Sequence, residues 1–284
     1  MANTIGKAKA GRGKSIYTNK HLQSVPLIIG GIIEQADIIL EILDARFIEE
    51  TRNAEIEKKI KRLGKILIYI LNKSDLVDTN EIMQKVEMDN LKPYIFFSSK
   101  ERRGSAKLRK LIKIEAGKLK KEAVNVGVVG YPNTGKSSLI NIVTGTSAAK
   151  VSSVAGFTKG IKKIKLSKGL YLIDTPGIIP PEEKKAGMEN SMKHSQIGAV
   201  TWDRTKYPEM VIHRLMQENP GLFENHYKIN AKGDSEFLIE EIGRKLNFLK
   251  KGNEVDEIRT AKKILRDWQE GKIRREKNLT KRNI

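Results

Sequence analysis

The chain has 284 residues, enough for one α/β domain and a smaller second one, and no cysteine, which excludes disulfides and thiolate metal sites and fits a reducing cytoplasm. No apolar run reaches the roughly 18–20 residues of a membrane span and no signal-peptide pattern opens the chain, so a soluble cytoplasmic protein without membrane contact is expected. Its formal charge of +20, from 54 Lys and Arg against 34 Asp and Glu, calls for a polyanionic partner, nucleic acid above all.

Residues 1–20 are small, polar and basic without apolar periodicity and read as a mobile arm. Gly13-Lys14-Ser15 within it is no phosphate loop, because position 8 is alanine and no strand precedes it. Leu27, Ile28, Gly31 and Ile32 fall at helical spacing, predicting a helix to about Gln35. The run from Asp37 to Asp44 reads as a strand ending in Asp44-Ala45-Arg46. A helix from Arg52 to Leu63, stopped by Gly64, is expected next. Lys65 to Leu71 is nearly continuous in apolar residues, as buried parallel strands are. It leads into Asn72-Lys73-Ser74-Asp75, an NKxD motif. A carboxylate placed there accepts the N1–H and 2-amino N–H of guanine together, a donor pair adenine lacks. Asp75 is therefore the expected acceptor, with Asn72 bracing the loop and Lys73 lying along the base.

A third strand, Tyr94 to Phe97, ends in Ser98-Ser99-Lys100, and a helix from Ser105 to Lys121 follows. Leu108, Leu111, Ile112 and Leu119 would face the sheet, and Lys107, Lys110, Lys113 and Lys121 would form an outer basic stripe. The strand from Val124 to Val129 then runs into Gly130-Tyr131-Pro132-Asn133-Thr134-Gly135-Lys136-Ser137, a GxxxxGKS phosphate loop, with a helix starting near Ser138. Glycines let successive N–H groups of Asn133, Thr134, Gly135, Lys136, Ser137 and Ser138 face one anion at a helix N-terminus. Lys136 would reach the β- and γ-phosphates and the Ser137 hydroxyl one position on Mg²⁺.

Residues 146–160 are a predicted loop, in which Thr158 offers a hydroxyl to Mg²⁺ when a γ-phosphate is present; Lys136 and Thr158 are the expected catalytic contacts. Ile161 to Leu166 and Leu170 to Ile173 predict a hairpin, ending in Asp174-Thr175-Pro176-Gly177. In this DxxG motif Asp174 would hold Mg²⁺ through water and the Gly177 N–H would sense the γ-phosphate. Beyond Gly187, helices are predicted over Pro208–Gln217, Ser235–Leu249 and Glu254–Glu270, the last with Ile258, Ala261, Ile264, Leu265 and Trp268 on its apolar face. Trp268 is expected in the core rather than stacked on RNA.

The positive charge is uneven: residues 1–188 hold 34 basic and 19 acidic side chains, residues 189–284 hold 20 and 15. It gathers in runs at Lys7 to Lys20, Lys100 to Lys121, Lys159 to Lys168 and Lys272 to Arg282, which together predict a basic face.

GxxxxGKS, a downstream Thr, DxxG, NKxD and a Ser98-Ser99-Lys100 trio similar to the S-A-K loop are the five elements of a Ras-like GTPase. Their order is permuted, with NKSD and SSK ahead of the phosphate loop. The chain thus resembles a circularly permuted GTPase, and Asp44-Ala45-Arg46 with the helical C-terminus resembles the YlqF/YawG branch, whose members act in ribosome assembly. The resemblance implies an α/β fold: a permuted P-loop G domain of about six mostly parallel strands over residues 21–186, then a helical RNA-binding domain over 187–284 with a basic tail. It also implies a GTP-hydrolysing factor that binds ribosomal RNA in a nucleotide-dependent way, using GTP/GDP and Mg²⁺, as a monomer on a ribosomal subunit. In such GTPases the Ser99 N–H meets the guanine 6-oxo group, with Ser98 and Lys100 beside it.

Two departures stand out. Position 178 is isoleucine where Ras-like enzymes carry a water-orienting glutamine, so slow intrinsic hydrolysis is expected. Asn133 matches the asparagine that holds K⁺ in some relatives, so K⁺ or a ribosomal particle would stimulate the reaction. The Pro-Gly-His-Met segment of the bacterial branch is missing, and His21 is not expected to replace its histidine. An RNA-binding module with a structural or regulatory nucleotide site is the alternative; an ATPase is disfavoured by Asp75.

Overall fold

The structure is a computed structural model that describes residues 30–85, 88–145, 163–173 and 187–274. Strands β1 (Ile38–Asp44), β2 (Ile66–Asn72), β3 (Tyr94–Phe96), β4 (Val124–Gly130), β5 (Lys163–Ser167) and β6 (Leu170–Ile173) form one sheet in the spatial order β3-β2-β1-β4-β6-β5. Every pairing is parallel except the β5–β6 hairpin. Parallel strands need crossovers on the sheet faces and are buried on both, which is why β1, with the sequence IILEILD, is buried at all seven positions.

The two faces have separate cores. Ile38, Leu40 and Ile42 of β1 point toward helices α5 (Ser105–Lys118) and α6 (Lys136–Thr144), where Leu108, Ile112, Leu139 and Ile140 complete the packing. Ile39 and Leu43 point the other way, into a core shared with the helix over 30–35 (α1), α2 (Ile48–Thr51) and α3 (Ala54–Arg62). A short α4 (Thr79–Lys85) follows β2.

The C-terminal unit consists of α7 (Met188–Gln196), α8 (Pro208–Glu218), α9 (Leu222–Tyr227), α10 (Ser235–Lys245) and α11 (Glu257–Gln269). Val211, Leu215, Leu238, Ile264 and Leu265 meet in its centre, and Phe223 stacks on Trp268 at 5.7 Å between ring centroids. Such a ring pair adds about 0.5–1.5 kcal/mol beyond the area it buries. The same core takes in Phe47 and Tyr131 from the sheet domain, so the two units are packed together rather than tethered.

The six strands, the sheet class and a buried Trp268 agree with expectation; several helices differ. The helix expected from Arg52 to Leu63 starts instead at Ala54, because Asn53 stands outside it and its side chain accepts from the Ile56 amide as an N-cap; the short α2 before it was not expected. The helix expected to Leu249 stops at Lys245, with Asn247 in the left-handed region at φ 55°. The last helix starts at Glu257 rather than Glu254, capped by Asp256, which leaves Ile258 53% exposed and buries Thr260 in its place. On α5, Lys107, Lys110 and Lys113 are exposed as expected; Lys121 is exposed too, beyond the end of that helix, and pairs with Asp37 at 2.6 Å. Helices α4, α7 and α9 were not anticipated. Among the described residues no helix is long and apolar enough to cross a membrane.

Candidate nucleotide-binding site

Parallel pairing brings the motif-bearing strand ends to one edge. Asp44 of β1 sits opposite Asn72 of β2, and Ile42 opposite Gly130 of β4, so the base-reading and phosphate loops flank the end of β1.

The phosphate loop has the curl its glycines permit. At Gly130, φ is 150° and an added Cβ would lie 2.5 Å from the Ile42 carbonyl oxygen. At Gly135, φ is 102° and a Cβ would lie 2.1 Å from Asn72 Nδ2, so only glycine lets the two loops approach. The Tyr131 carbonyl accepts the Thr134 hydroxyl at 2.9 Å and Lys136 Nζ at 2.7 Å, which folds the loop around one oxygen. Lys136 is buried, while Ser137 and Ser138 are exposed in the first turn of α6, where N–H groups and the helix dipole favour an anion.

Asn72 joins this loop to the base-reading side. Its Nδ2 donates to the Thr134 carbonyl at 2.7 Å, and its Oδ1 accepts both the Ser99 amide and the Ser99 hydroxyl at 3.1 Å. The expected brace is therefore present, but the Ser99 amide expected to face a guanine oxygen is held by Asn72 instead. Asn72 is 1% exposed, and a buried carboxamide oxygen needs donors. Ser98, also buried, donates its hydroxyl to Asp75 Oδ1 at 2.6 Å and so fixes the rotamer of the carboxylate expected to read guanine. Lys100 is exposed at the rim.

Lys73 adopts the left-handed region at φ 60° and sends Nζ to Asp44 Oδ2 at 2.7 Å. Arg46 grips the same carboxylate through Nε at 3.0 Å and Nη2 at 2.8 Å. Burial by itself would raise the Asp44 carboxyl, but the adjacent Arg46 and Lys73 charges outweigh it and hold the group well below the usual carboxylate range. Sequence reading noted Asp44-Ala45-Arg46 without assigning it a contact. The available signal was an acid closing a fully apolar strand with an arginine two residues on.

On the phosphate side, α7 and the turn after it cover the loop. The Tyr131 hydroxyl and His194 Nε2 are 3.0 Å apart and buried, and Asn133 Nδ2 donates to the Gly198 carbonyl at 2.6 Å. Tyr131, His194 and Gly198 were missed because their partners lie more than 60 residues apart. Thr158, Asp174, Gly177 and Ile178, like His21, lie outside the described residues.

A family model described as 50S ribosome-binding GTPase matches residues 125–230. An uncharacterized GTP-binding protein of Methanocaldococcus jannaschii is 39% identical over 88% of this chain and 66% of its own. The GDP-bound structure of YlqF from Thermotoga maritima superposes with a TM-score of 0.63 at 25% identity, covering 87% of this chain and 96% of that one. The chain belongs to the circularly permuted GTPases of the YlqF/YawG family. The permuted GTPase is also similar to nucleolar GTP-binding protein 2 of Yarrowia lipolytica, 34% identical over 85% of this chain and 48% of that protein. It spans about two thirds of the Methanocaldococcus protein and about half of the nucleolar one. Membership in this family accounts for β4 lying mid-sheet between β1 and β6 although it is fourth in sequence.

Proposed function

We propose that this protein binds and hydrolyses GTP and assists assembly of a ribosomal subunit, binding ribosomal RNA in a nucleotide-dependent way. The observation that carries the reading is Asn72, whose one side chain fastens the base-reading loop to the phosphate loop at a spacing only glycine at 135 allows. Two loops locked in this way suit a ligand with a base at one end and phosphates at the other. Asp75, oriented by Ser98, accepts the guanine N1–H and 2-amino group; the Lys73 stem lies along the base with its ammonium on Asp44. Lys100 borders the base at the rim, and the Ser99 amide reaches the 6-oxo group only if it leaves Asn72.

On the phosphate side Lys136 exchanges the Tyr131 carbonyl for the β- and γ-phosphate oxygens, and amides from Asn133 to Ser138 line the anion. The residues present fit Mg²⁺: the Ser137 hydroxyl is exposed in the first turn of α6, and Asp174, Thr158 and the Gly177 amide are its sequence-assigned companions at the γ-phosphate. Mg²⁺ would supply charge neutralisation on the transferring phosphoryl group. For K⁺ the fit rests on Asn133, whose Nδ2 is held by Gly198 and whose carboxamide oxygen is left for a cation. With isoleucine at 178, unstimulated hydrolysis is slow, and K⁺ or the ribosomal particle accelerates it.

The names of the relatives and the +20 charge support a ribosomal partner, with the basic stripe of α5 and the C-terminal unit as RNA-facing surfaces. Co-sedimentation with separated ribosomal subunits, with and without a non-hydrolysable GTP analogue, tests the reading. Binding indifferent to nucleotide, with hydrolysis indifferent to the particle, would refute it. Isoleucine 178 favours a second reading, an RNA-binding module whose nucleotide turns over negligibly; it requires Lys136→Ala to leave function intact.

A further inference from the structure

Behind the base-reading loop lies a chain of contacts that nucleotide binding alone does not require. The carboxylate of Asp44, fully buried, accepts from Arg46 N and Nε on one oxygen and from Arg46 Nη2 and Lys73 Nζ on the other. The remaining terminal nitrogen of Arg46, Nη1, donates to the Trp268 carbonyl at 3.1 Å, 222 residues along the chain. The guanidinium carbon lies 5.1 Å from the Trp268 ring centroid and 5.3 Å from that of Phe47. Trp268 sits in the last turn of α11, where the negative end of the helix dipole favours a cation. A second contact falls at the same place. The turn at Ser74–Leu76 of the base-reading loop touches Gly271, where a Cβ would lie 2.7 Å from Leu76 Cδ2. Removing three charges from water is costly, and apolar side chains would pack here as stably. What the charges add is a fixed geometry, with Lys73 and Arg46 held on the same Asp44 carboxylate and Arg46 held in turn on the end of α11.

We propose that Arg46 is a positioning residue that locks the base-reading Lys73 to the C-terminal end of α11, so that guanine-nucleotide binding and the seating of the C-terminal unit are thermodynamically coupled. The inference rests on the guanine reading above and goes beyond it, since the coupling runs through the base and not through the γ-phosphate. Coupling is reciprocal: a factor by which guanine nucleotide favours the seated α11 is the factor by which an unseated α11 weakens the nucleotide. A partner that draws the end of α11 away would therefore weaken guanine nucleotide from the base side.

The test is hydrogen exchange of the full chain in Mg²⁺ buffer with no ligand, with inorganic pyrophosphate, and with GDP. The amides of Gly271, Lys272 and Ile273, which donate to Trp268 and Asp267 carbonyls, are the reporters. GDP should slow their exchange several-fold beyond pyrophosphate. Arg46→Lys keeps the charge but cannot reach Asp44 and the Trp268 carbonyl together. It should abolish the GDP increment and weaken GDP roughly 5- to 150-fold, leaving pyrophosphate affinity unchanged. Equal protection by GDP and pyrophosphate in the unmodified protein would overturn the proposal, whether or not the variant folds. Failure of the guanine reading would be seen separately, as GDP binding no tighter than ADP in the accompanying titration.

Discussion

Replacing Asn72 by alanine tests the tie between the two halves of the site. The substitution removes three hydrogen bonds from a side chain 1% exposed: one to the Thr134 carbonyl at 2.7 Å and two from Ser99 at 3.1 Å. It orphans the buried Thr134 carbonyl outright, while the partly exposed Ser99 groups recover water. At about 1–3 kcal/mol for each buried group left unsatisfied, and about 0.5–1.5 kcal/mol for each ordinary bond lost, the total is about 2–6 kcal/mol. If half of that is preorganisation of the nucleotide site, GDP should bind roughly 5- to 140-fold more weakly, at about 1.4 kcal/mol per tenfold. Inorganic pyrophosphate, which needs only the phosphate loop, should lose much less. Asn72→Asp is no rescue, because it sets an oxygen against the Thr134 carbonyl. Calorimetric titration of both ligands into wild type and variant, beside urea unfolding, separates the terms. A variant destabilised by the expected amount that binds GDP within twofold of wild type would refute the reasoning and leave Asn72 a structural bond only.

Asp75→Asn should lower preference for GTP over ATP by roughly 100-fold or more and favour xanthine nucleotide, whose 2-oxo group matches the new amide; competition binding measures it, and an unchanged preference removes the basis for guanine. Lys136→Ala should abolish GTP turnover, followed as phosphate release, and remove the difference in RNA affinity between nucleotide-free and GTP-analogue samples in filter binding; function left intact would favour the binding-module reading. Gly135→Ala places a Cβ 2.1 Å from Asn72 Nδ2 at φ 102° and should cost about 1–3 kcal/mol in urea unfolding together with nucleotide affinity. Glu41→Gln concerns a carboxyl inside β1 that accepts the Asn53 amide at 3.0 Å through Oε1 and has its other oxygen buried without a partner. Burial first, and the Glu57 charge second, raise its pKa from 4.5 to about 8. The folded chain thus keeps this proton while the unfolded chain loses it, so stability falls as pH rises from about 4.5 to about 8. The glutamine variant should match wild type at pH 4 and exceed it by roughly 2–4 kcal/mol at pH 8; a gap that does not change with pH would contradict this.

Legibility in the sequence followed the range of the interaction. Strands β1 and β2 are near-continuous apolar runs because both faces are covered, and their pattern survives without knowledge of partners. The phosphate loop and NKSD are local chemistry at strand ends, so their convergence and the brace by Asn72 could be foreseen. Helix α7 could not, since MENSMKHSQ carries hardly any apolar residue. Its last turn is buried through polar contacts from far away: Trp268 Nε1 donates to the Gln196 carbonyl and Gln269 Nε2 to that of Ser195. Ile258 was misplaced because the first turn of an amphipathic helix projects past its core, and the Thr260 hydroxyl, bonded to the Asp256 carbonyl, takes the inner position. The Ser99 amide was assigned to a ligand through the likeness of Ser98-Ser99-Lys100 to the S-A-K loop; that Asn72 Oδ1 lies within its reach is a long-range contact no local pattern carries.

The position of β1 explains why the C-terminal unit meets the site twice. In the sheet β1 lies between the base-reading strand β2 and the phosphate strand β4, so its end adjoins both loops. On one side Asp44 holds Lys73, and Arg46 passes that hold to the carbonyl of Trp268 on α11. On the other, Tyr131 and Asn133 of the phosphate loop reach His194 and Gly198 at the end of α7. Permutation places the DxxG segment before α7 in the sequence, so the phosphate-side contact is also the one nearest in sequence to the glycine expected to sense the γ-phosphate. A ligand that orders only the phosphate loop can act on α7, whereas one that also fills the base pocket acts on α11 as well. Base and phosphate thus meet the helical unit at different helices, and because Trp268 and Gln269 of α11 bond the Gln196 and Ser195 carbonyls of α7, a change at one contact is passed in part to the other.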